Sequence, residues 1–233
     1  ALLSQIDVVG IDCHIGSQIT NTAPYLDALD KVLELVAQLK KEGIEIHHLD
    51  LGGGLGISYG DDNPPDITEF TNTLLNRVAE RGFAHLDVVL EPGRSLVGNA
   101  GVLLTKVEYL KPGAEKNFCI VDAAMTELMR PALYEAYHSI VPVQAKPVAN
   151  STYDVVGPVC ESGDWLGRDR ELAVEEGDLL AILSAGAYGF VMASNYNTRP
   201  KPAEIMVDGK NAYVIRKREN IADLFASETI LPN

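Results

Sequence analysis

Apolar runs and helical periodicities alternate through the first hundred residues, and no other feature restricts the fold as strongly. Val8-Val9-Gly10-Ile11-Asp12-Cys13 is short and mostly apolar, as expected of a parallel strand buried on both faces. Leu26, Leu29, Leu33, Val36 and Leu39 then recur at three- and four-residue spacing. They predict an amphipathic helix over Pro24 to Lys41, opened by Asn21 or Thr22 and stopped at Gly43. A second strand is expected over Ile46 to Leu51, a second helix over Asp66 to Arg81 ending at Gly82, and a third strand at Val88-Val89-Leu90. This βαβαβ order implies parallel strands joined by right-handed crossovers.

Past about Gly101 the texture changes. Short β-like runs follow at Val102 to Tyr109, Phe118 to Val121, Ile140 to Val143, Tyr153 to Val156, Leu179 to Leu183, Ile205 to Val207 and Ala212 to Ile215. Turn signals such as Lys111-Pro112-Gly113 and Asp208-Gly209-Lys210 separate them, so a mainly antiparallel β domain is expected over 101–233. A helix is expected over Ala185 to Tyr196 and a short terminal one over Ile221 to Phe225.

A formal charge of −14, from 19 Lys and Arg against 33 Asp and Glu, argues against a nucleic-acid partner. The three cysteines (Cys13, Cys119 and Cys160) lack metal-type spacing and do not suggest a disulfide framework. Neither a signal peptide nor an apolar run of about 20 residues, long enough to span a bilayer, is evident. A soluble cytoplasmic protein with no membrane partner is expected.

Each of the first three strand runs ends in a polar or glycine-rich motif: His14-Ile-Gly-Ser17, Gly52-Gly-Gly54 and Glu91-Pro-Gly-Arg94. In α/β barrels the loops at the carboxyl ends of the strands carry the chemistry, so these motifs are expected to converge on one site. Three strands cannot close a barrel, which needs about eight. Residues 1–100 therefore read either as a small open α/β domain or, the favoured reading, as the C-terminal portion of a (β/α)8 barrel with the other strands expected upstream of Ala1.

Taken singly, each motif has a plainer alternative. The glycine triplet can bring backbone N–H groups to a phosphate or simply form a turn, and it lacks the Walker and dinucleotide-binding spacings. Glu91 and Arg94 suit a ring nitrogen and an anion, or a surface ion pair. His14 can stack on a ring or be structural, and His47, His48, His85 and His138 have no better claim. Cys160 beside Glu161 is a proton-donor candidate or a packing thiol.

Together, His14-Ile-Gly-Ser, the triple glycine, Glu91-Pro-Gly-Arg, Met129-Arg-Pro-Ala-Leu-Tyr134, Cys160-Glu-Ser and Gly186-Ala-Tyr-Gly189 resemble the alanine-racemase-like, fold type III decarboxylases that use pyridoxal phosphate (PLP). Within that group they are similar to the diaminopimelate decarboxylase branch. The Arg-Pro-Ala-Leu-Tyr and Cys-Glu-Ser motifs separate them from the ornithine branch.

The resemblance implies decarboxylation of meso-2,6-diaminopimelate to L-lysine. Its expected cofactor contacts are His14 against the pyridine ring, Ser17 near the phosphate, the Gly52, Gly53 and Gly54 backbone at the phosphate, and Glu91 at the ring nitrogen. Pro92 and Gly93 shape that last turn, and Arg94 meets phosphate or substrate. Arg130 and Tyr134 would hold the distal amino-acid end of the substrate. Cys160 would deliver a proton to the α-carbon, Glu161 would bind the substrate amine, and Tyr188 would touch cofactor and substrate. A homodimer with shared sites is implied; the β domain is expected to be a barrel or sandwich, with residues 186–200 returning from it to the active site.

The lysine that holds the cofactor covalently belongs on an early barrel strand, in a Tyr-Ala-Val-Lys-Ala-Asn-like context. Lys146, in Ala145-Lys-Pro-Val-Ala-Asn150, lies in the wrong place in the motif order and reads as a decoy. The chain alone is therefore expected to be inactive. Rival readings are a sister ornithine- or arginine-type decarboxylase, a catalytically dead homologue serving as a binding partner, and a phosphate-binding barrel enzyme without PLP.

Overall fold

The structure, a computed structural model, describes residues 4–60 and 62–231. The chain divides into two compact units, Ala1–Asn99 and Ala100–Asn233.

The first unit runs β1 (Gly10–Asp12), α1 (Ala23–Lys41), β2 (His48–Asp50), α2 (Ile67–Glu80), β3 (Asp87–Val89) and a single turn, α3 (Arg94–Val97). The strands form a parallel sheet in the order β1-β2-β3; β1 and β2 are shorter than their apolar runs, and β3 is shifted by one residue from its run. Tyr25, Leu29, Leu33 and Val36 of α1 and Phe70, Leu74 and Val78 of α2 are buried with Leu49 of β2 in one core. Complete burial of a Leu, Val or Phe side chain is worth roughly 1.5–3 kcal/mol, so these stripes hold the helices to the sheet.

Local signals set the helix ends. The Asp66 carboxylate accepts the Thr68 and Glu69 N–H groups and caps α2. At α1, Thr22 occupies the cap position while the Asn21 side chain accepts the Ala23 N–H. Asp30 accepts hydrogen bonds from both Arg77 (2.7 Å) and Arg81 (2.9 Å), clamping α1 to α2.

The second unit contains β4 (Leu103–Lys111), β5 (Asn117–Val121), α4 (Arg130–Tyr134), β6 (Ile140–Pro142), β7 (Ser151–Val156), β8 (Trp165–Leu172), β9 (Leu179–Ile182), β10 (Glu204–Asp208), β11 (Asn211–Arg216) and α5 (Ile221–Leu224). Six strands form a sheet in the order β6-β9-β4-β5-β7-β8, antiparallel except for the β5–β7 pair. The edge strands β6 and β8 meet, so the sheet nearly closes on itself. Arg170 of β8 stacks on the Tyr137 ring at 3.8 Å, just ahead of β6, and supports that closure. Val107, Cys119, Val121, Leu166, Leu180 and Ile182 fill the interior. β10 and β11 form a separate antiparallel hairpin.

One expectation needs correction, and one strand has no counterpart among the expected runs. Residues 185–196 are not a helix. They form irregular backbone with a 3-10 turn at Phe190–Met192 and another at Tyr196–Thr198. Gly186 and Gly189 weaken helix formation, and Tyr188 adopts φ +56°, which an α-helix cannot contain. Strand β8 was not expected, because Arg168-Asp169-Arg170-Glu171 hides its period. Asp169 sits at φ +53° within a bulged pairing, so alternation is broken there. Pro142 in β6 fits because β6 is an edge strand.

Candidate active site

The three loops after β1, β2 and β3 are joined by backbone bonds. Cys13 N–H donates to Asp50 O (3.0 Å), Leu51 N–H to Val89 O (3.0 Å) and Glu91 N–H to Gly52 O (2.8 Å). Ile19 N–H donates to Gly54 O and Gly56 N–H returns to Ile19 O, while the Gln18 amide exchanges two bonds with the Ile57 backbone. His14, the glycine triplet and Glu91 are thereby gathered at the carboxyl end of one parallel sheet.

Close approach explains the glycines. A Cβ on Gly53 would lie 2.3 Å from Glu91 O, and one on Gly54 would lie 2.1 Å from Gly16 O. Gly54 also adopts φ +94°, a conformation costly for a residue with a side chain. The Gly52 N–H donates to the Asp50 carboxylate (2.9 Å), and the Gly53 N–H to His14 Nδ1 (3.3 Å). The latter bond fixes His14 with Nδ1 as acceptor. Tyr25 supports the loop from beneath by donating to Gly53 O at 3.0 Å, and burial pushes its hydroxyl up to about 12.

Arg94 donates from Nη2 to Ser17 Oγ at 3.1 Å and from Nη1 to the Tyr59 hydroxyl. Pro92 and Gly93 are exposed in the turn that places Arg94 at the start of α3. A cation, a hydroxyl and the exposed His14 imidazole are therefore available beside the glycine loop.

One feature of this site was missed in the sequence. A carboxylate oxygen from each of Asp12, Asp50 and Glu91 lies within 4.8 Å of the other two. Asp12 and Asp50 are register partners at the ends of β1 and β2. An Asp one residue before the end of each of the first two strand runs was the available signal. The neighbouring Cys13 thiol is raised above its usual range by burial and by these two carboxylates.

The second unit holds the other candidates. Arg130, at the start of α4, is buried, and its Nη1 lies 2.7 Å from His138 Nε2. Tyr134, at the end of α4, is exposed, as is Tyr188. Cys160 and Glu161 are exposed on a loop built around Asp164. The Asp164 carboxylate accepts the Met125 and Val159 N–H groups at 2.7 Å each, while the Asp164 N–H donates to Glu161 O (3.0 Å). Burial raises the Asp164 pKa above its ordinary value, and those two N–H bonds oppose the rise. Arg199 donates to Thr126 Oγ1 (3.2 Å) and Asp122 O (2.8 Å), and Ser194 N–H to Thr126 O (3.0 Å), tying this later stretch to the turn ahead of α4.

Lys146 is an ion-pair lysine. Its Nζ lies 2.5 Å from Asp178 and 2.9 Å from Glu175, and the bonds to these two raise its pKa above the ordinary value. A held ammonium is a poor nucleophile, which agrees with the decoy reading. All three cysteines are free thiols, and no helix among the described residues is long and apolar enough to cross a membrane.

Residues 4–186 match the family model described as pyridoxal-dependent decarboxylase, C-terminal sheet domain. The chain is 54% identical over 230 residues to a diaminopimelate decarboxylase of Vibrio cholerae, covering 99% of this chain and 55% of that protein. It is 53% identical over 232 residues to one from Pseudomonas fluorescens, again covering 55% of it. Among solved structures, the diaminopimelate decarboxylase of M. jannaschii in complex with L-lysine superposes with a TM-score of 0.93 at 44% identity, covering 97% of this chain and 52% of that one. The chain thus spans about half the length of the relatives it matches. With motifs, sheet and matched residues in agreement, the chain belongs to the pyridoxal-dependent decarboxylase family.

Proposed function

We propose that this sequence is the C-terminal part of a cytoplasmic, homodimeric diaminopimelate decarboxylase, its first unit being the last strands of a (β/α)8 barrel. The observation that carries the reading is the junction of His14, the Gly52–Gly54 loop and Glu91 at the ends of three adjacent parallel strands.

The donor set fits PLP. Arg94, Ser17 and the Gly54 backbone suit its phosphate, and Asp12, Asp50 and Glu91 form a negative pole that calls for a proton or cation. A protonated pyridine nitrogen would supply that counter-charge. When bound, the cofactor supplies an electron sink for the bond electrons left as CO2 departs. Glu91 would hold the proton at the ring nitrogen. His14, held by its bond from Gly53, would pack against the ring. Arg130 and Tyr134 bind the distal carboxylate of meso-diaminopimelate, a group that a diamine precursor such as ornithine lacks. Glu161 and Tyr188 orient the reacting end, and the Cys160 thiol delivers the proton that replaces CO2 at the α-carbon.

The test is CO2 release by the full-length protein carrying this sequence, supplied with PLP. Turnover of meso-diaminopimelate with little or none of ornithine or arginine is expected, and a preference for either of those would overturn the reading. Lys146→Met should leave kcat unchanged, and the 233-residue chain alone should show no activity.

A further inference from the structure

His138 received no role in the sequence, yet it is 0% exposed and touches two elements of the substrate region. Its Nε2 lies 2.7 Å from Arg130 Nη1, and its Nδ1 lies 2.8 Å from Leu183 O. A carbonyl oxygen only accepts and a guanidinium only donates. The imidazole must therefore donate from Nδ1 and accept at Nε2, so its neighbours select the neutral Nδ1–H tautomer. Leu183 immediately follows β9 and stands five residues before Tyr188. Ser139 O accepts the Leu183 N–H at 2.8 Å, so side chain and backbone hold the same junction.

The choice of a neutral acceptor has a consequence. An Asp or Glu in this place could hold the guanidinium equally well, but it would cancel charge that an anionic ligand needs. The bond to His138 fixes the direction of Arg130 and removes none of its positive charge. Burying an imidazole is costly unless both ring nitrogens are satisfied, and here both are.

We propose that His138 is a positioning residue for substrate specificity: it holds Arg130, fully charged, for a carboxylate at the far end of the substrate, and ties it to the segment that carries Tyr188. The proposal rests on the reading of Arg130 given under Proposed function. It extends that reading to a residue that contacts neither substrate nor cofactor.

The test compares two ligands of the PLP-loaded full-length protein. L-lysine keeps one carboxylate of diaminopimelate, and cadaverine keeps none. Dissociation constants for both would be measured by calorimetry in the parent, Arg130→Gln, His138→Asn and His138→Gln proteins. Asn places its amide N–H near the Nδ1 position and keeps the Leu183 contact, whereas Gln places its amide oxygen near the Nε2 position and keeps the Arg130 contact.

Arg130→Gln should abolish the preference for lysine. His138→Asn should reduce it by about 10-fold, the scale of one hydrogen bond to a charged group, with cadaverine affinity unchanged. His138→Gln should retain most of the preference. With meso-diaminopimelate, His138→Asn should raise KM far more than it lowers kcat. A parent-like preference in His138→Asn, or its loss in a His138→Gln protein that binds cadaverine normally, would overturn the proposal. An intact preference in Arg130→Gln would instead bring down the reading of Arg130, and the role of His138 with it.

Discussion

Val159 donates its backbone N–H to the Asp164 carboxylate at 2.7 Å, one residue ahead of Cys160. The other carboxylate oxygen takes the Met125 N–H at the same distance, so a buried acid joins the cysteine loop to the turn leading into α4. Asparagine at 164 would aim an amide N–H at one of those two donors. Asp164→Asn should destabilise the protein by about 1–3 kcal/mol. It should also lower kcat of the full-length enzyme about tenfold, because proton delivery depends on geometry. Urea unfolding and steady-state kinetics measure both, and a parent-like kcat would disprove the positioning role.

Gly54→Ala places a methyl 2.1 Å from Gly16 O at a residue with φ +94°. The loop must shift, so loss of bound cofactor is expected, read from its visible absorbance. Gly82 provides the control. It has φ +85° and open space where a Cβ would stand. Gly82→Ala should cost only the backbone strain, about 1 kcal/mol, with cofactor retained. Equal cofactor content in the two variants would refute the close-approach argument.

The three thiols should separate in a titration with a thiol reagent at pH 8. Cys160 is exposed and should react rapidly. Cys13 is partly buried, with its thiol raised by burial and by Asp12 and Asp50, and should react slowly. Cys119 is fully buried, and burial pushes its thiol to about 12, so it should react only after unfolding. Cys160→Ser should remove the fast phase and leave the two slower ones unchanged.

Asp154 accepts hydrogen bonds from Lys116 Nζ (2.9 Å) and from the Asp169 N–H (2.9 Å). Burial disfavours its charge, yet the Lys116 bond, the Asp169 N–H and the Lys116 charge together hold its pKa below the ordinary 3.8. A lowered folded-state pKa contributes stability above the unfolded value, and that stability is lost as pH falls through the folded one. In Lys116→Met burial meets less opposition, so the Asp154 titration should move upward, measured by carboxyl carbon NMR. The variant should lose more stability at about pH 6 than at about pH 3. An unmoved titration would show that Lys116 does not hold the charge.

Much of the first unit was legible because its signals are local. Apolar residues at helical spacing along α1 and α2 bury one stripe each, and Asp66 caps α2 as its residue type suggests. The motifs at the three strand ends were legible for the same reason, since parallel pairing brings equivalent positions side by side. Strand β8 was not, because cation–π stacking of Arg168 on Trp165 and Arg170 on Tyr137 gives charged residues a place that a pattern of apolar alternation cannot represent. The supposed helix at 185–196 failed at Tyr188, whose left-handed backbone has no signature in its residue type.

The amino-acid order by itself determined the alternation of strand and helix, the change to β structure after residue 100 and the inventory of motifs, all of which follow from neighbours a few positions apart. Only the tertiary structure decided that Asp12, Asp50 and Glu91 share one patch, that Asp164 holds the backbone one residue ahead of Cys160, and that His138 reaches both Arg130 and Leu183. Those contacts depend on strand register and chain path, and a hydrogen bond between residues 45 positions apart leaves no period in a sequence.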